Sequence, residues 1–495
     1  MKLSNYVLIL VVSILLPIVA PAAPADARPS GDSLARRINS LLNKPGLREG
    51  FQGVLIKSLK SGRTLYARNA DSLFVPASNN KILTACAALG VLGIDFRWHT
   101  RVLATSRPDK DGVVNGDLVL QGSGDPILTA DDLNALAGQL KAAGIHRITG
   151  NLRFDDYRFD RQFLGETWAW DDEPYYYSAQ ISALNVDENV VVVHVQPGTG
   201  IGDPVGVSVT PLADYATVHC TAVTTAKGTP VGLDVTRRRG RNTILISGSL
   251  PAGIAPAKDP AIAVTYEDPP RFAATLFRSD LIKAGIEIAG GTLEGHSPVG
   301  AVLLADHLSP AMPEVLRRLN KPSDNLIAEC LLKSVGAQID GQGTGGEGGT
   351  ACLAARTWFR TIGLRMSEVR QADGSGLSRD NFVSPRNIVR TLVWFTKQPW
   401  FRQYDESLPV AGVDGTLARR MKGTAAAGNC HAKTGYVSHV STISGYVRTA
   451  DGQPLVFSIL MNNHLCPNRV CEQAQDAIVV LLASLRGNAG AHQSD

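Results

Sequence analysis

Cysteine, net charge and long apolar segments are all scarce in this chain. Its 495 residues include only 7 cysteines, which is too few for a fold built mainly on disulfide bonds. Lys and Arg total 49 against 45 Asp and Glu, a net charge of +4. With no long basic run present, nucleic acid is not an expected partner. After the N-terminus, no segment is long and apolar enough to span a bilayer.

Motifs of several enzyme classes are also missing. The 10 histidines form no H-E-x-x-H or H-x-H pattern, which argues against a zinc peptidase. His431 and His439 are interpreted as packing or surface residues. The glycine-rich stretch from Gly341 to Gly349 lacks the Lys-Ser/Thr ending of a phosphate-binding loop. We therefore expect neither a cofactor nor a metal.

The cysteine positions leave disulfide pairing open. Cys466 and Cys471 are close enough in sequence to pair, and their C-x₄-C spacing has no second ligand pair nearby, so they are not interpreted as a zinc site. Cys86 and Cys330 fall on apolar helical faces and are predicted to be small buried hydrophobic residues.

The N-terminus has the layout of a secretory signal peptide. Lys2 is followed by an almost wholly apolar run from Tyr6 to Ala20, and Ala25-Asp26-Ala27 fits a cleavage site. This pattern predicts a signal peptide over residues 1–27, cleavage after Ala27, export and a periplasmic location. The competing interpretation is an uncleaved anchor, the one case in which we expect contact with a membrane.

Helix and strand patterns occur in blocks. Residues 28–100 combine helical patterns with a hairpin, and residues 101–285 contain mostly short β-rich runs. Residues 286–486 return to helices before a three-strand meander and a last helix. The predicted class is α/β (α+β), with helices packed on an antiparallel sheet and one or two mostly-β lobes inserted. Residues 487–495 are predicted to be a disordered tail.

The first of three short motifs is S-x-x-K, formed by Ser78 and Lys81. A three-residue spacing at a helix start places both side chains on one face, one turn apart. A serine hydroxyl needs a neighbour that takes its proton, and Lys81 can do so only when neutral. Burial, or a second ammonium such as Lys433, would lower its pKa. Taken alone, the pair is better explained as a helix cap and a solvent-exposed lysine.

The second motif is Ser323-Asp324-Asn325, of the S-x-N type. Its functional interpretation has Ser323 relaying a proton to a leaving amine while Asn325 holds Lys81 and the substrate amide. Asp324 would then face away from the reacting bond. The same tripeptide is also a good helix-capping sequence.

The third motif is Lys433-Thr434-Gly435, which begins a predicted strand. A cation and a hydroxyl there can bind a substrate carboxylate, and Gly435 lets a substrate backbone approach the strand edge. Each motif is weak alone, but three in order, each on the element that its role needs, form a strong signal.

Together these motifs resemble the class C low-molecular-mass penicillin-binding proteins, the D-alanyl-D-alanine carboxypeptidase–endopeptidases. The likeness spans about Ser33 to Leu485. The 245 residues that separate Ser78 from Ser323 match this family's split catalytic domain. Further segments that resemble the family are Val75-Pro76-Ala77-Ser78-Asn79-Asn80-Lys81, Gly122-Ser123-Gly124-Asp125-Pro126, Ser182-Ala183-Leu184-Asn185, Lys321-Pro322-Ser323-Asp324-Asn325, Asp373-Gly374-Ser375-Gly376-Leu377-Ser378-Arg379 and Leu408-Pro409-Val410-Ala411-Gly412-Val413-Asp414-Gly415-Thr416-Leu417.

The resemblance implies a split penicillin-binding/serine β-lactamase-like transpeptidase domain and a serine DD-peptidase that acts on peptidoglycan stem peptides. Ser78 would attack the penultimate D-alanine carbonyl, and the backbone N–H groups of Ser78 and Tyr436 would form the oxyanion hole. β-Lactam antibiotics are the expected covalent inhibitors. Tyr436 stands where the family usually has Thr, which puts substrate fit and β-lactam affinity in question.

Two alternatives are weighed against this interpretation. A class A β-lactamase would add an E-x-x-x-N segment, which is missing between Ser323 and Lys433, and its chain would be far shorter. A catalytically silent peptidoglycan-binding homologue would show broken motifs, and here all three are intact.

Overall fold

The structure, a computed structural model, describes residues 31–211, 215–254 and 261–486. The predicted signal peptide (1–27) and tail (487–495) lie outside the described residues. Within them, a five-stranded antiparallel sheet is flanked by helices, and smaller, mostly-β units are inserted after the second helix. The predicted α/β (α+β) class with inserted mostly-β lobes is confirmed.

The helices and strands fall into three consecutive groups. The first contains α1 (Gly31–Leu42), β1 (Phe51–Ser58), β2 (Thr64–Arg68) and α2 (Asn80–Val91). The second contains β3 (His99–Ala104), β4 (Val113–Val114), β5 (Leu118–Gly122), α3 (Ala130–Ala142), β6 (Arg147–Ile148), β7 (Leu152–Asp155), β8 (Val190–Gln196), β9 (Gly206–Thr210), β10 (Thr217–Cys220), β11 (Val223–Thr225), β12 (Gly232–Arg237), β13 (Thr243–Pro251), β14 (Ala261–Thr265), α4 (Pro269–Lys283), β15 (Glu287–Ile288), β16 (Thr292–Glu294) and β17 (Val302–Leu308). The third contains α5 (Met312–Asn320), α6 (Asn325–Asp340), α7 (Thr350–Thr361), β18 (Val369–Arg370), β19 (Phe382–Val383), α8 (Pro385–Phe395), α9 (Phe401–Ser407), β20 (His431–Val437), β21 (Val440–Arg448), β22 (Pro454–Asn462) and α10 (Asn468–Ala483).

The helices α6 and α8 begin at side-chain caps. The Asp324 carboxylate accepts a hydrogen bond from the Ile327 N–H at 2.7 Å, which satisfies a free donor at the start of α6. The Ser384 hydroxyl caps α8 in the same way, and Pro385 follows at the first helical position, where its missing N–H costs nothing.

The main sheet has the strand order β2-β1-β22-β21-β20, and every neighbouring pair is antiparallel. Alternate residues point to opposite faces of a sheet. On β22, Val456 joins the hydrophobic cluster of α2 and α8, whereas Leu455 and Phe457 join that of α1 and α10. Because β1 and β22 come from opposite ends of the chain, this sheet forms only when the two parts of the split domain meet.

The inserted strands build smaller sheets over their own hydrophobic cluster. The largest has the order β16-β7-β5-β3-β17, and another has the order β14-β8-β9. β17 pairs antiparallel with β3, so that Leu308 lies opposite His99. The predicted domain boundaries remain a prediction, and this pairing favours an insertion that extends beyond residue 285 to about Leu308.

Two further predictions concern buried cysteines and membrane-spanning helices. Cys86 in α2 and Cys330 in α6 are fully buried, as predicted. In the ranges that the structure describes, no helix combines the length and the apolar character needed to cross a membrane.

Candidate active site

Ser78 lies in a single 3₁₀ turn, Ala77–Asn79, that precedes α2. The sequence predicted that the helix itself begins at Ser78, so the observed start is two residues later. The Thr442 hydroxyl donates to the backbone carbonyl just before the turn at 2.9 Å, and the Asn79 side-chain amide donates to the Lys433 carbonyl at 2.9 Å. These two contacts hold the turn, and with it Ser78, against β20 and β21.

Lys81 is completely buried and its Nζ contacts three oxygens. The distances are 3.0 Å to Ser78 Oγ, 2.6 Å to Asn325 Oδ1 and 2.9 Å to the Ser375 carbonyl. An ammonium group would donate to all three. A neutral amine would donate to the amide and carbonyl oxygens and accept the Ser78 hydroxyl proton. The same geometry therefore suits both the resting state and a proton transfer.

Burial is what brings Lys81 towards its neutral form. It lowers the pKa of Lys81 to about 8, against an opposing effect of the Asp324, Asp373 and Glu329 carboxyl groups. The pKa of Lys433 lies well below its ordinary value because of burial and the nearby Lys81 charge. Repulsion between the two ammonium groups is mutual, so a charge on either lysine favours the neutral form of the other.

The S-x-N motif lies where α6 begins. Ser323 has a positive φ of 71°, and its Oγ accepts a hydrogen bond from Lys433 Nζ at 2.7 Å. The Asn325 amide donates to the Tyr177 carbonyl, which belongs to the inserted region, at 2.7 Å. The motif thus connects Lys81, the K-T-G strand and the inserted lobes.

The K-T-G motif lies on the edge strand of the main sheet. Lys433 is fully buried, whereas the Thr434 hydroxyl lies 2.6 Å from that of Thr416, a residue of the resembling segment 408–417. Tyr436 follows on the same strand with 59% of its surface exposed. The motif therefore offers a buried lysine amino group and a reachable hydroxyl beside an exposed ring.

Gly435 is needed where this strand meets the nucleophile turn. A β-carbon at this position would lie 2.4 Å from Thr442 Oγ1 and 2.7 Å from the Ser78 backbone nitrogen. Only glycine therefore allows the strand to approach the turn this closely.

The structure thus brings all the sequence-predicted site residues to one place between the main sheet and α6. A family model described as D-Ala-D-Ala carboxypeptidase 3 (S13) family matches residues 34–485. The chain belongs to this family. Family membership makes it a serine-type DD-peptidase, and the alternative of a catalytically silent homologue is not favoured.

Curated relatives support the same assignment. The chain is 40% identical over 484 residues to a D-alanyl-D-alanine carboxypeptidase from an Actinomadura species, a match that covers 94% of this chain and 88% of that relative. It is 28% identical over 417 residues to the D-alanyl-D-alanine carboxypeptidase DacB of Haemophilus influenzae, which covers 83% and 85% of the two chains.

A solved structure matches over almost the same length. Penicillin binding protein 4 (dacB) from Haemophilus influenzae superimposes with a TM-score of 0.79 at 26% identity, covering 91% of this chain and 99% of that one. A second crystal structure of the same protein, in complex with a β-lactam, gives a TM-score of 0.74 at 25% identity and the same coverage. The fold is therefore that of a penicillin-binding protein.

This S13 site also contains residues to which sequence reasoning assigned no role. Glu329 is fully buried in α6, and its carboxylate accepts hydrogen bonds from the N–H groups of Gly374 at 2.9 Å and Ser375 at 2.8 Å. Burial and Asp373 raise the pKa of Glu329 to about 7. Since the Ser375 carbonyl contacts Lys81, Glu329 holds the loop that fixes the position of the Lys81 amine. The segment 373–379 was singled out in the sequence because it resembles the family. Glu329 belongs to none of the segments that do, so its role could not be predicted.

The inserted region supplies part of the site rim. The Trp168 indole N–H donates to Asp373 at 2.9 Å, and the Thr167 and Ser378 hydroxyls lie 2.5 Å apart. Trp170 and Tyr176, in the same stretch, are largely exposed. The inserted lobes therefore contact segment 373–379, whose Ser375 carbonyl binds Lys81.

The two histidines near the K-T-G strand have structural partners. The His431 ring lies 2.8 Å from Asp405, whose carboxylate raises the pKa of that histidine. The His439 ring contacts the His464 carbonyl at 2.9 Å. Both contacts agree with the predicted packing or surface roles.

Proposed function

We propose that this protein cleaves D-alanyl bonds of peptidoglycan stem peptides, by carboxypeptidase or endopeptidase action, through an acyl-enzyme on Ser78. The observation that carries the proposal is the 3.0 Å contact between Ser78 Oγ and Nζ of the fully buried Lys81. The family supports the substrate class, and the β-lactam complex of the Haemophilus influenzae protein supports acylation of Ser78 by β-lactam antibiotics.

In the acylation step, neutral Lys81 takes the proton of the Ser78 hydroxyl as Oγ attacks the carbonyl carbon of the penultimate D-alanine. The carbonyl oxygen becomes an oxyanion, which the backbone N–H groups of Ser78 and Tyr436 stabilise. Removing one such donor typically costs about 3–4 kcal/mol of transition-state stabilisation. Lys433, Thr434 and Gly435 bind the substrate carboxylate and backbone.

Collapse of the tetrahedral intermediate expels the amine of the terminal D-alanine or of a cross-linked stem peptide. The Ser323 hydroxyl gives its proton to this amine. Lys433, whose Nζ donates to Ser323 Oγ at 2.7 Å, then gives Ser323 a new proton. Asn325 holds Lys81 at 2.6 Å and the substrate amide. Lys81 passes the Ser78 proton on to Lys433, so that Lys81 is neutral and Lys433 is charged again. Water then attacks the ester carbonyl, and neutral Lys81 takes a proton from it. That proton goes to Ser78 Oγ as the ester bond breaks and the acid is released.

Export is the second part of the proposal. The N-terminal pattern of a positive start, an apolar run and Ala25-Asp26-Ala27 supports cleavage after Ala27 and a periplasmic location. Peptidoglycan lies outside the cytoplasm, so the proposed substrate requires export. N-terminal sequencing of the mature protein tests the cleavage site: the first residue is expected to be Arg28, and an intact Met1 would contradict it.

The proposed reaction is tested by incubating the mature protein with benzylpenicillin and, separately, with a peptide that ends in D-Ala-D-Ala. Mass spectrometry is expected to show one penicillin added per chain, slowly released, and loss of one alanine from the peptide. Rapid turnover of penicillin would instead favour a β-lactamase. An intact peptide together with unmodified protein would reject the function.

The rate of acylation is expected to rise with pH. Lys81 acts as a base only when neutral, and its pKa is about 8, so the neutral fraction falls about tenfold for each pH unit below that value. The second-order rate constant for acylation by benzylpenicillin, measured from pH 5.5 to 9.5, should increase and level off above about pH 8. A profile that is flat below pH 8 would exclude Lys81 as the base.

Gly435→Ala is expected to slow acylation by about 10²-fold, the cost of shifting a reacting group by about 1 Å. The new methyl group would collide with Thr442 Oγ1 and the Ser78 nitrogen. Stopped-flow acylation with benzylpenicillin measures the effect. Gly138→Ala, on an exposed position of α3, serves as the matched control, because this glycine has no positive φ and its β-carbon would meet no atom within 4 Å. Unchanged acylation in Gly435→Ala would show that the strand does not set the nucleophile position.

A further inference from the structure

A second group of reactive side chains lies where β22 leads into α10, outside the active site. It consists of His464, Cys466 and Cys471, referred to below as the His-Cys-Cys cluster. The two sulfur atoms are 3.9 Å apart, and one His464 ring nitrogen and both sulfurs all lie within 4.8 Å of one another. His464 and Cys471 are buried, and Cys466 is half-buried. All seven cysteines of the chain are free thiols in the structure.

The spacing of the two sulfurs fits metal coordination. Tetrahedral zinc with Zn–S bonds of about 2.3 Å holds two thiolates about 3.8 Å apart. A disulfide requires about 2.05 Å, so its formation would have to move the sulfurs of Cys466 and Cys471 towards each other by almost half their separation of 3.9 Å. The thiols therefore already stand at the distance that two metal ligands adopt.

His464 adds an independent observation. Its side chain is buried, and Nε2 has no hydrogen-bond partner among the residues that the structure describes. Its Nδ1 lies 3.1 Å from the Cys466 carbonyl and 3.9 Å from Cys466 Sγ. Buried imidazole nitrogens are normally hydrogen-bonded or bound to a metal, and this histidine combines a nitrogen without a partner with another that lies 3.9 Å from a cysteine sulfur.

We propose that His464, Cys466 and Cys471 bind one thiophilic divalent cation of the Zn²⁺ class, with water in the fourth position. Binding displaces the two thiol protons to solvent and forms two metal–thiolate bonds and one metal–imidazole bond, so that no oxidant or reductant is consumed. Two thiolates and an imidazole select Zn²⁺ over Mg²⁺ or Ca²⁺, which prefer oxygen ligands. This site was not predicted from the sequence because C-x₄-C has no second pair of ligands nearby, whereas the third ligand is a single histidine two residues before Cys466.

The location indicates a structural role for the cation. His439, in the turn between β20 and β21, contacts the His464 carbonyl at 2.9 Å. A β-carbon at Gly46 would lie 3.0 Å from Cys466 Cβ, so the loop after α1 packs closely on the same cluster. A bound cation would hold the start of α10, the end of β22 and these two loops together.

The first test is metal and thiol content. The protein is purified without chelator or reductant, its zinc is measured by elemental mass spectrometry, and its thiols are alkylated before intact-mass analysis. One zinc per chain is expected in the wild type and in Cys220→Ser, a half-buried cysteine outside the cluster. Zinc content is expected to fall by about tenfold or more in Cys466→Ser and Cys471→Ser.

Cobalt is the spectroscopic probe for the metal-free protein. Titration with Co²⁺ should give a thiolate-to-cobalt charge-transfer band that saturates at one equivalent, is absent in Cys471→Ser and is weakened in His464→Asn. Zn²⁺ should raise the melting temperature of the wild type by a few degrees and leave that of Cys471→Ser unchanged. Acylation by benzylpenicillin shows whether each variant is folded. If a cysteine variant does not fold, the same measurements are made on His464→Asn.

Two results would overturn the proposal. The first is a purified protein in which Cys466 and Cys471 resist alkylation and the mass is two hydrogens lower than that of the reduced chain, since the pair would then be a disulfide. The second is zinc or cobalt binding that survives unchanged in Cys471→Ser and in His464→Asn, since the metal would then lie elsewhere.

Discussion

Ser78→Ala is expected to abolish the benzylpenicillin adduct and to reduce hydrolysis of a D-Ala-D-Ala peptide by about 10⁴-fold or more. In the proposed mechanism the Ser78 hydroxyl oxygen forms the acyl bond, and alanine has no atom that could form it. Its partner, Lys81 Nζ, lies 3.0 Å away in the wild type and would keep its contacts with Asn325 and the Ser375 carbonyl. Intact-mass spectrometry and a D-alanine release assay measure the two losses.

The matched control is Ser72→Ala, six residues earlier in the chain and half-buried. It should retain both the adduct and the hydrolysis within about twofold, because surface substitutions away from special features usually change stability by less than about 0.5 kcal/mol. A penicillin adduct that persists in Ser78→Ala, mapped to another serine by peptide sequencing, would reject the assignment of the nucleophile.

Lys81→Met is expected to slow acylation by about 10²–10⁴-fold, the usual contribution of a general base. Methionine matches the length of the lysine side chain but cannot accept the Ser78 proton. Lys81 is fully buried, so its replacement should be apolar: methionine places neither a charge nor an unpaired polar group in the core. The residual rate should also lose the rise with pH that is expected around pH 8 in the wild type.

The control for this substitution is Lys397→Met, an exposed lysine that follows α8. It should acylate at the wild-type rate with the wild-type pH profile. Circular dichroism and melting temperature show whether Lys81→Met is folded. A folded variant that acylates at the wild-type rate would transfer the role of base to another group, and Lys433, whose Nζ contacts Ser323, would be the next candidate.

The double variant tests whether Ser78 and Lys81 work as one unit. Once Ser78 has been replaced, the base has no proton to accept, so adding Lys81→Met should cost almost nothing more. Residues of one catalytic unit are strongly non-additive in this way. Residual peptide hydrolysis in Ser78→Ala and in the double variant should therefore agree within about threefold. A full additional loss would mean that Lys81 acts mainly on substrate binding.

Much of the fold could be read from local patterns. The hairpin of β1 and β2, the meander of β20, β21 and β22 and the last helix were predicted, because periodicity and turn residues are local signals. The start of α2 was misplaced, since the turn that carries Ser78 is shaped by contacts with Thr442 and Lys433, more than 350 positions away in the chain. The pairing of β17 with β3 could not be predicted either, because it joins strands that are far apart in the chain.

For the site, the three motifs, their order and the family they resemble follow from the sequence alone, because each motif is a short run of residues whose chemistry is recognisable without a structure. How those groups act on one another depends on the folded chain. The burial of Lys81, the contact of its Nζ with the Ser375 carbonyl, the role of Glu329 behind that carbonyl and the meeting of His464 with two cysteines all depend on packing. The pKa of a side chain and the contacts that position it are set by neighbours in space, and those neighbours exist only once the distant parts of the chain have packed together.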